Sequence, residues 1–309
     1  EALVDKRLHW TLLTLPILGI VIFTILPLVF MICMAFTSYS KVGDHLTIFH
    51  WVGLKNFSTV LGMGNSIGKT FWSVLGWTLI WAVLATFLNY ILGMILAIVI
   101  NRKTTRIKGF WRFCFMLSAA IPQFVSLLLM RTMLKDNGLI NNLLVQAGLI
   151  SSPLPFLTNA TWARATVVII NLWVGIPFTM MQVTGILQNI PGELYEAARV
   201  DGAGPVTIFF KITLPYMLFV TTPYLITTFT GNINNFNVIY LLTAGAPVPV
   251  GATAGKTDLL VTWLYKLTVD LQYFNVGAVV GILTFVILAV VSLITYRNTG
   301  SYKNEEGFQ

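Results

Sequence analysis

Few side chains in this 309-residue chain have both the type and the spacing for bond-making chemistry. Its three histidines, His9, His45 and His50, stand away from any Cys or carboxylate at metal-ligand spacing and read as solvated loop or membrane-edge residues. Cys33 and Cys114 lie in apolar sequence with neither disulfide nor metal-site spacing. Gly255-Lys256-Thr257 has the last letters of a phosphate-binding loop, but the first glycine is one position out of register, at Gly251. What remains is hydrogen bonding without charge. Asn171 sits in one uncharged window, and Thr228, Asn232 and Asn235 sit in another at i, i+4 and i+7. Those three share one helical face if the helix runs through Asn235. Such groups either bind a neutral polar ligand or hydrogen-bond between helices, and spacing leaves both open.

The elements that position them follow from composition. Only 10% of the residues are charged and 56% are hydrophobic, with mean hydropathy +0.81, whereas soluble domains carry roughly 25% charged residues. The missing solvent shell must be lipid. A bilayer core asks for about 20 apolar residues per helix, and six charge-free intervals are long enough: Leu8–Ser40, Thr70–Asn101, Phe113–Met130, Ala165–Gly192, Ile212–Gly255 and Leu271–Tyr296. The second half of the fifth is rich in Asn, Gly and Pro, so it predicts one span over about Ile212–Gly231 and then a half-buried polar segment. The expected fold is all-α, an integral membrane protein of six transmembrane helices. Residues 1–69 form an N-terminal span with its outer loop, and residues 70–309 a core of five spans.

Six spans put both termini on one side. That side carries 11 Lys and Arg in 59 residues against 8 in 110 on the other, so the positive-inside rule makes it cytoplasmic. Five of the 11 fall in Asn101–Arg112. The +8 net charge is thus a topology signal, and with no run of five basic residues it does not suggest nucleic acid. The N-terminal apolar run is too long for a cleavable signal peptide, and Glu1 in place of Met suggests a start inside a longer chain. None of the six apolar cores contains Asp, Glu, Lys or Arg, which fits an ion-coupled carrier poorly. Sodium sites built from backbone carbonyls keep that alternative open.

Residues 191–215, PGELYEAARVDGAGPVTIFFKITLP, lie between the fourth and fifth spans. The sequence predicts a short helix through Val200, stopped by Asp201-Gly202, and a second helix opened by Pro205 and running toward Pro215 and the fifth span. A helix of about ten residues is marginal alone in water, so a partner must hold it. Ala197 and Ala198 supply a small-residue face for close approach, with Glu196 and Arg199 beside it.

Glu196-Ala197-Ala198, Gly202, Ile212 and Leu214-Pro215 together resemble the EAA loop of membrane subunits of bacterial ATP-binding-cassette importers. Gly53-Leu-Lys-Asn-Phe57 and Asn137-Gly-Leu-Ile-Asn-Asn-Leu143 are similar to outer segments of sugar-importer permeases. Asn171-Leu-Trp-Val-Gly-Ile-Pro177, Gly231–Thr243 and Thr257-Asp-Leu-Leu-Val261 resemble maltose and maltodextrin permeases of the first-subunit type. The resemblance covers nearly the whole chain, without room for the large insert of the Gram-negative members.

The resemblance implies a type I importer permease in the bacterial cytoplasmic membrane. It would pair with a second permease, two ATPase subunits that bind ATP and Mg, and an extracellular solute-binding protein, and would itself be non-catalytic and without cofactor. The implied cargo is an oligosaccharide, with glycerol phosphate or another small polyol compound as the alternative. Glu196, Ala197, Ala198, Asp201 and Gly202 would couple the permease to the ATPase. By motif position the sugar-facing places fall on Ala119, Gln123, Asn171, Gly175, Thr228, Asn232 and Asn235, with Trp173, Phe229 and Tyr240 as nearby stacking candidates. The sequence departs from maltose-type relatives at Ala119, where they have an aromatic, and at Gln123, where they have a small hydroxyl.

Overall fold

The computed structural model describes residues 2–42, 45–46, 49–102 and 104–297. The side chains of His9 and His45, Lys103 of the basic loop, and residues 298–309 of the expected cytoplasmic tail lie outside the described residues. Helix α1 has its membrane-length part at Leu12–Ala35. A two-residue hairpin, β1 (Lys41–Val42) with β2 (His45–Leu46), and the short α2 (Lys55–Leu61) follow. The long α3 spans Ser66–Asn101. After it come α4 (Lys108–Ala120), α5 (Gln123–Met133), α6 (Leu139–Gln146), α7 (Ala160–Gln188) and α8 (Gly192–Val200). The chain continues as α9 (Pro205–Ile233), α10 (Phe236–Leu242), α11 (Leu260–Tyr265) and α12 (Phe274–Arg297). Helices α1, α3, α7, α9 and α12 are each long and apolar enough to cross a membrane, and α4 with α5 makes a sixth, broken span.

The break in the third span is not visible in its apolar window. Helices α4 and α5 meet at 85°. Pro122 disfavours helical backbone at the residue before it, and Ile121 accordingly takes an extended conformation, φ −74° and ψ 128°. The second loop helix, expected to run toward Pro215 and the fifth span, joins that span in one helix, α9, from Pro205. A π-turn at Phe209–Thr213 immediately precedes Pro215. Another at Val21–Ile25 precedes Pro27. Proline cannot donate the i→i−4 bond and its ring crowds that carbonyl; widening the turn just upstream relieves both.

The chain divides into two compact units, residues 1–72 with 264–285 and residues 73–263 with 286–309. In the first, the outer-loop motif works as a clamp. Buried Asn56 donates Nδ2 to the carbonyls of Ala35 (2.9 Å) and Thr37 (2.7 Å), and accepts from Asn275 Nδ2 at 3.3 Å. Phe57 packs on Phe36. Gly53 makes the turn at φ +58° that a side chain would strain. None of the most apolar stretch of α1 is buried within the chain.

Two apolar cores lie among the described residues of the second unit. One gathers Trp77, Trp81, Leu127, Val167, Ile239 and Leu259, and the other Tyr90, Met94, Ala97, Met180, Val183 and Met217. Lipid tails are as apolar as these side chains, so close packing rather than water exclusion must hold the helices together. Gly93 on α3 shows how: a Cβ there would lie 2.7 Å from the Thr179 side chain of α7. The motif residue Asn141 is also structural, fully buried, accepting from the Leu154 amide (2.9 Å) and donating to the Leu154 carbonyl (3.0 Å).

Candidate functional site

The polar groups of the second unit line up along α3. A π-turn at Leu84–Leu88 interrupts this helix in mid-span. Its Thr86 Oγ1 accepts from Asn232 Nδ2 of α9 at 3.0 Å, and one turn earlier Trp81 Nε1 donates to the Asn232 carbonyl at 3.1 Å. Asn89, just past the turn, fills the space left by Gly175 of α7, where a Cβ would collide with its amide. Asn89 Oδ1 is buried without a partner. Farther along, the Tyr90 and Thr221 hydroxyls lie 2.7 Å apart, those of Thr179 and Tyr224 3.4 Å, and Asn101 Nδ2 donates to Thr184 Oγ1 at 3.1 Å. At about 1.5 Å per residue this seam of uncharged groups from Thr86 to Asn101 is roughly 22 Å long. It contains no ionised group until its end, where Arg112 Nη2 donates to Asn101 Oδ1 at 2.5 Å. Lys108 there donates to the Asn101 carbonyl at 3.1 Å, a cation at a helix C-terminus as the macrodipole favours.

The structure separates the sequence-predicted site residues into two kinds. Asn232 and Asn235 are committed to the fold. Asn235 does not continue the face of Thr228 and Asn232, because α9 ends at Ile233. It caps α10 instead, accepting from the Val238 amide at 3.3 Å while its Nδ2 donates to Asn232 Oδ1 at 3.3 Å. Asn171 is buried and Thr228 half-buried, yet neither side chain hydrogen-bonds to a described residue. They keep their capacity for a ligand. Gln123 and Ala119 flank the helix break, both exposed, with Gln123 in the first turn of α5. Of the stacking candidates, Trp173 is exposed and lies two residues from Asn171, which on a helix turns it away from that side chain. Tyr240 stacks on Phe236 at 4.7 Å, and Phe229 is half-buried on α9. Sequence reading missed Thr86, Asn89 and Trp81; the available signal was polar side chains inside the uncharged Thr70–Asn101 window.

At the basic end, α8 and the turn after it have the expected form. The Ala203 amide donates to the Ala198 carbonyl at 2.9 Å and the Gly202 amide to the Arg199 carbonyl at 3.0 Å. This double closure needs a left-handed residue between them, and Gly202 sits at φ +78°. Glu196, Ala197, Asp201 and Gly202 are exposed and Ala198 is half-buried. Tyr195 reaches the other way, 3.2 Å from the Thr213 hydroxyl of α9. An exposed helix held from behind by one tyrosine, with small residues outward, is suited to be gripped by another protein.

A family profile described as binding-protein-dependent transport system inner membrane component matches residues 89–299, which include most of the seam and the whole loop. The chain belongs to this family. Two relatives from Bacillus subtilis (strain 168) are the galactooligosaccharides transport system permease protein GanP and the maltodextrin transport system permease protein MdxF. GanP is 38% identical over 94% of this chain and 70% of its own length. MdxF is 37% identical over 96% and 70%. Among solved structures, a chain of a bacterial ABC transporter that imports the acidic polysaccharide alginate has TM-score 0.73 at 24% identity, covering 96% of this chain and 98% of its own. That likeness shows the type I importer permease fold. Among the described residues no three His, Cys, Asp or Glu side chains come together to hold a metal ion.

Proposed function

We propose that this chain forms half of the translocation pathway of an ATP-driven oligosaccharide importer. The observation that carries the reading is identity of 37–38% to permeases named for galactooligosaccharides and maltodextrin. The chemistry of the seam agrees with it. A neutral sugar offers hydroxyl groups and apolar ring faces, and amides, hydroxyls and tyrosines without ionised groups complement both. Asn171, Thr228 and Gln123, whose side chains make no bond to described residues, are the groups that meet the sugar. Gly175 takes part by seating Asn89, while Asn232 and Asn235 hold the pathway's wall.

A second permease completes the pathway and gives the otherwise unburied α1 a protein surface to lie on. Two ATPase subunits receive α8 at Glu196–Ala198 and the Gly202 turn, and an external solute-binding protein delivers the cargo. ATP and Mg belong to those ATPases. Closure of their dimer carries α8 with it and rocks the permease pair from inward-open to outward-open. The testing experiment is reconstitution of the chain with its second permease, ATPases and binding protein, offered a panel of maltodextrins and galactooligosaccharides. Uptake should require ATP and all subunits. Uptake by this chain alone, or driven by an ion gradient without ATP, would overturn the reading.

A further inference from the structure

A cavity of about 710 Å³ lies where the basic end of α3 meets α8 and the first turns of α9. Its lining divides by chemistry. Ile98, Leu187, Phe209 and Phe210 present apolar surface, whereas Arg102 and Arg199 present guanidinium groups beside the Tyr195 and Thr213 hydroxyls. Both arginines are exposed, and neither guanidinium bonds to a described residue. The acids of the same loop, Glu193, Glu196 and Asp201, do not line the cavity. Two free cations, a largely apolar wall and a position at the polar ends of three membrane helices thus coincide.

We infer that this cavity binds an anionic phospholipid, its phosphate between Arg102 and Arg199 and its acyl chain along Phe209, Phe210 and Ile98. Basic pockets between membrane helices at the cytoplasmic edge favour acidic head groups, and the positive-inside rule places this end there. A free phosphate compound matches the arginines and leaves the apolar wall bare. A zwitterionic lipid covers the wall but adds a cation next to two others. The site has a consequence for coupling. Tyr195 and Arg199 stand at i and i+4 on one face of α8, Ala197 lies on the opposite one, and Glu196 lies between them. Bound lipid therefore ties the inward face of α8 to the end of α3 and leaves the outward face to the ATPase.

The test is native mass spectrometry of the detergent-solubilised importer, complete with second permease and ATPases. It is incubated with phosphatidylglycerol, with phosphatidylcholine of the same chains, or with glycerol phosphate. Phosphatidylglycerol should be retained over phosphatidylcholine. Arg102→Ala should lower its retention about fivefold, and Arg102→Ala with Arg199→Ala about 25-fold, one increment per cation. Arg102→Lys should restore most of it. Equal retention of the two lipids, or retention unchanged in the double variant, would overturn the site. Displacement of phosphatidylglycerol by glycerol phosphate would reassign it to a soluble phosphate compound. Retention by the permease pair that vanishes once the ATPases join would reassign it to a protein segment; either result overturns the lipid. Should the double variant fail to assemble, competition between the two lipids on the wild type decides alone.

Discussion

At the residue scale, two asparagines of similar sequence context do different work. Asn232 is held by Thr86 and holds Asn235, so Asn232→Ala removes one buried and one half-buried hydrogen bond. It is expected to cost about 1–2 kcal/mol, read as a lower melting midpoint of the purified complex and lower yield. Asn171→Ala and Thr228→Val remove side chains with no bond to described residues. These should leave the midpoint within about 0.5 kcal/mol of wild type while weakening transport by roughly 1–1.5 kcal/mol per lost sugar bond, unequally among sugars. Uniform transport of every sugar by both variants would remove them from the pathway. Spacing places Asn171, Asn232 and Asn235 alike as uncharged hydrogen-bonding residues. Asn232 is satisfied by a partner 146 residues away in the chain, Thr86, which no local pattern records, whereas Asn235 is satisfied within three residues as the cap of α10.

At the element scale, backbone conformation is special at the Gly202 turn and at the Pro122 break. Gly202→Val forces a β-branched residue to φ +78°, where L side chains are strained by about 1 kcal/mol or more. The double closure on Ala198 and Arg199 should open and α8 should lose its end. The expected result is a permease that inserts normally but neither co-purifies with nor stimulates its ATPase; normal stimulation would show that α8 is not the coupling element. Gly175→Leu meets a different obstacle, since a side chain there must displace the buried Asn89 amide. Overpacking at such a contact costs about 1–3 kcal/mol, so this variant should fail in thermal stability before it fails in sugar selectivity.

At the scale of the whole molecule, the seam contacts fix relative directions within the second unit. Thr86 and Tyr90 of α3 meet Asn232 and Thr221 of α9 in descending order, while Asn89 and Asn101 meet Gly175 and Thr184 of α7 in ascending order. Helices α3 and α7 thus run together and α9 returns, as alternating spans require. Absolute orientation remains an expectation from the basic residues. Cysteines placed at Thr104 and at Asn137, both exposed positions, in a background lacking Cys33 and Cys114, should label from opposite sides. An impermeant thiol reagent on intact cells should reach position 137 only, and reaction at 104 would invert the topology and detach α8 from any cytoplasmic ATPase.

Composition and periodicity by themselves determined the class of solvent, the number of spans and the position of the loop at 191–215, because lipid demands long uncharged runs and water demands charge. The Asp201-Gly202 stop was legible for the same kind of reason, a local backbone requirement that one residue type meets. Tertiary structure alone decided the 85° break between α4 and α5, the π-turn ahead of Pro215, and the division of the asparagines into bonded and unbonded. Each of these turns on a competition between a local preference and a partner. Pro122 stands at a helix break, whereas Pro177, Pro215 and Pro223 are carried within continuous helices, so proline alone does not decide where a span breaks. Asn232 is tied to α3 because Thr86 reaches it, and Asn171 is left unbonded because no described side chain reaches it.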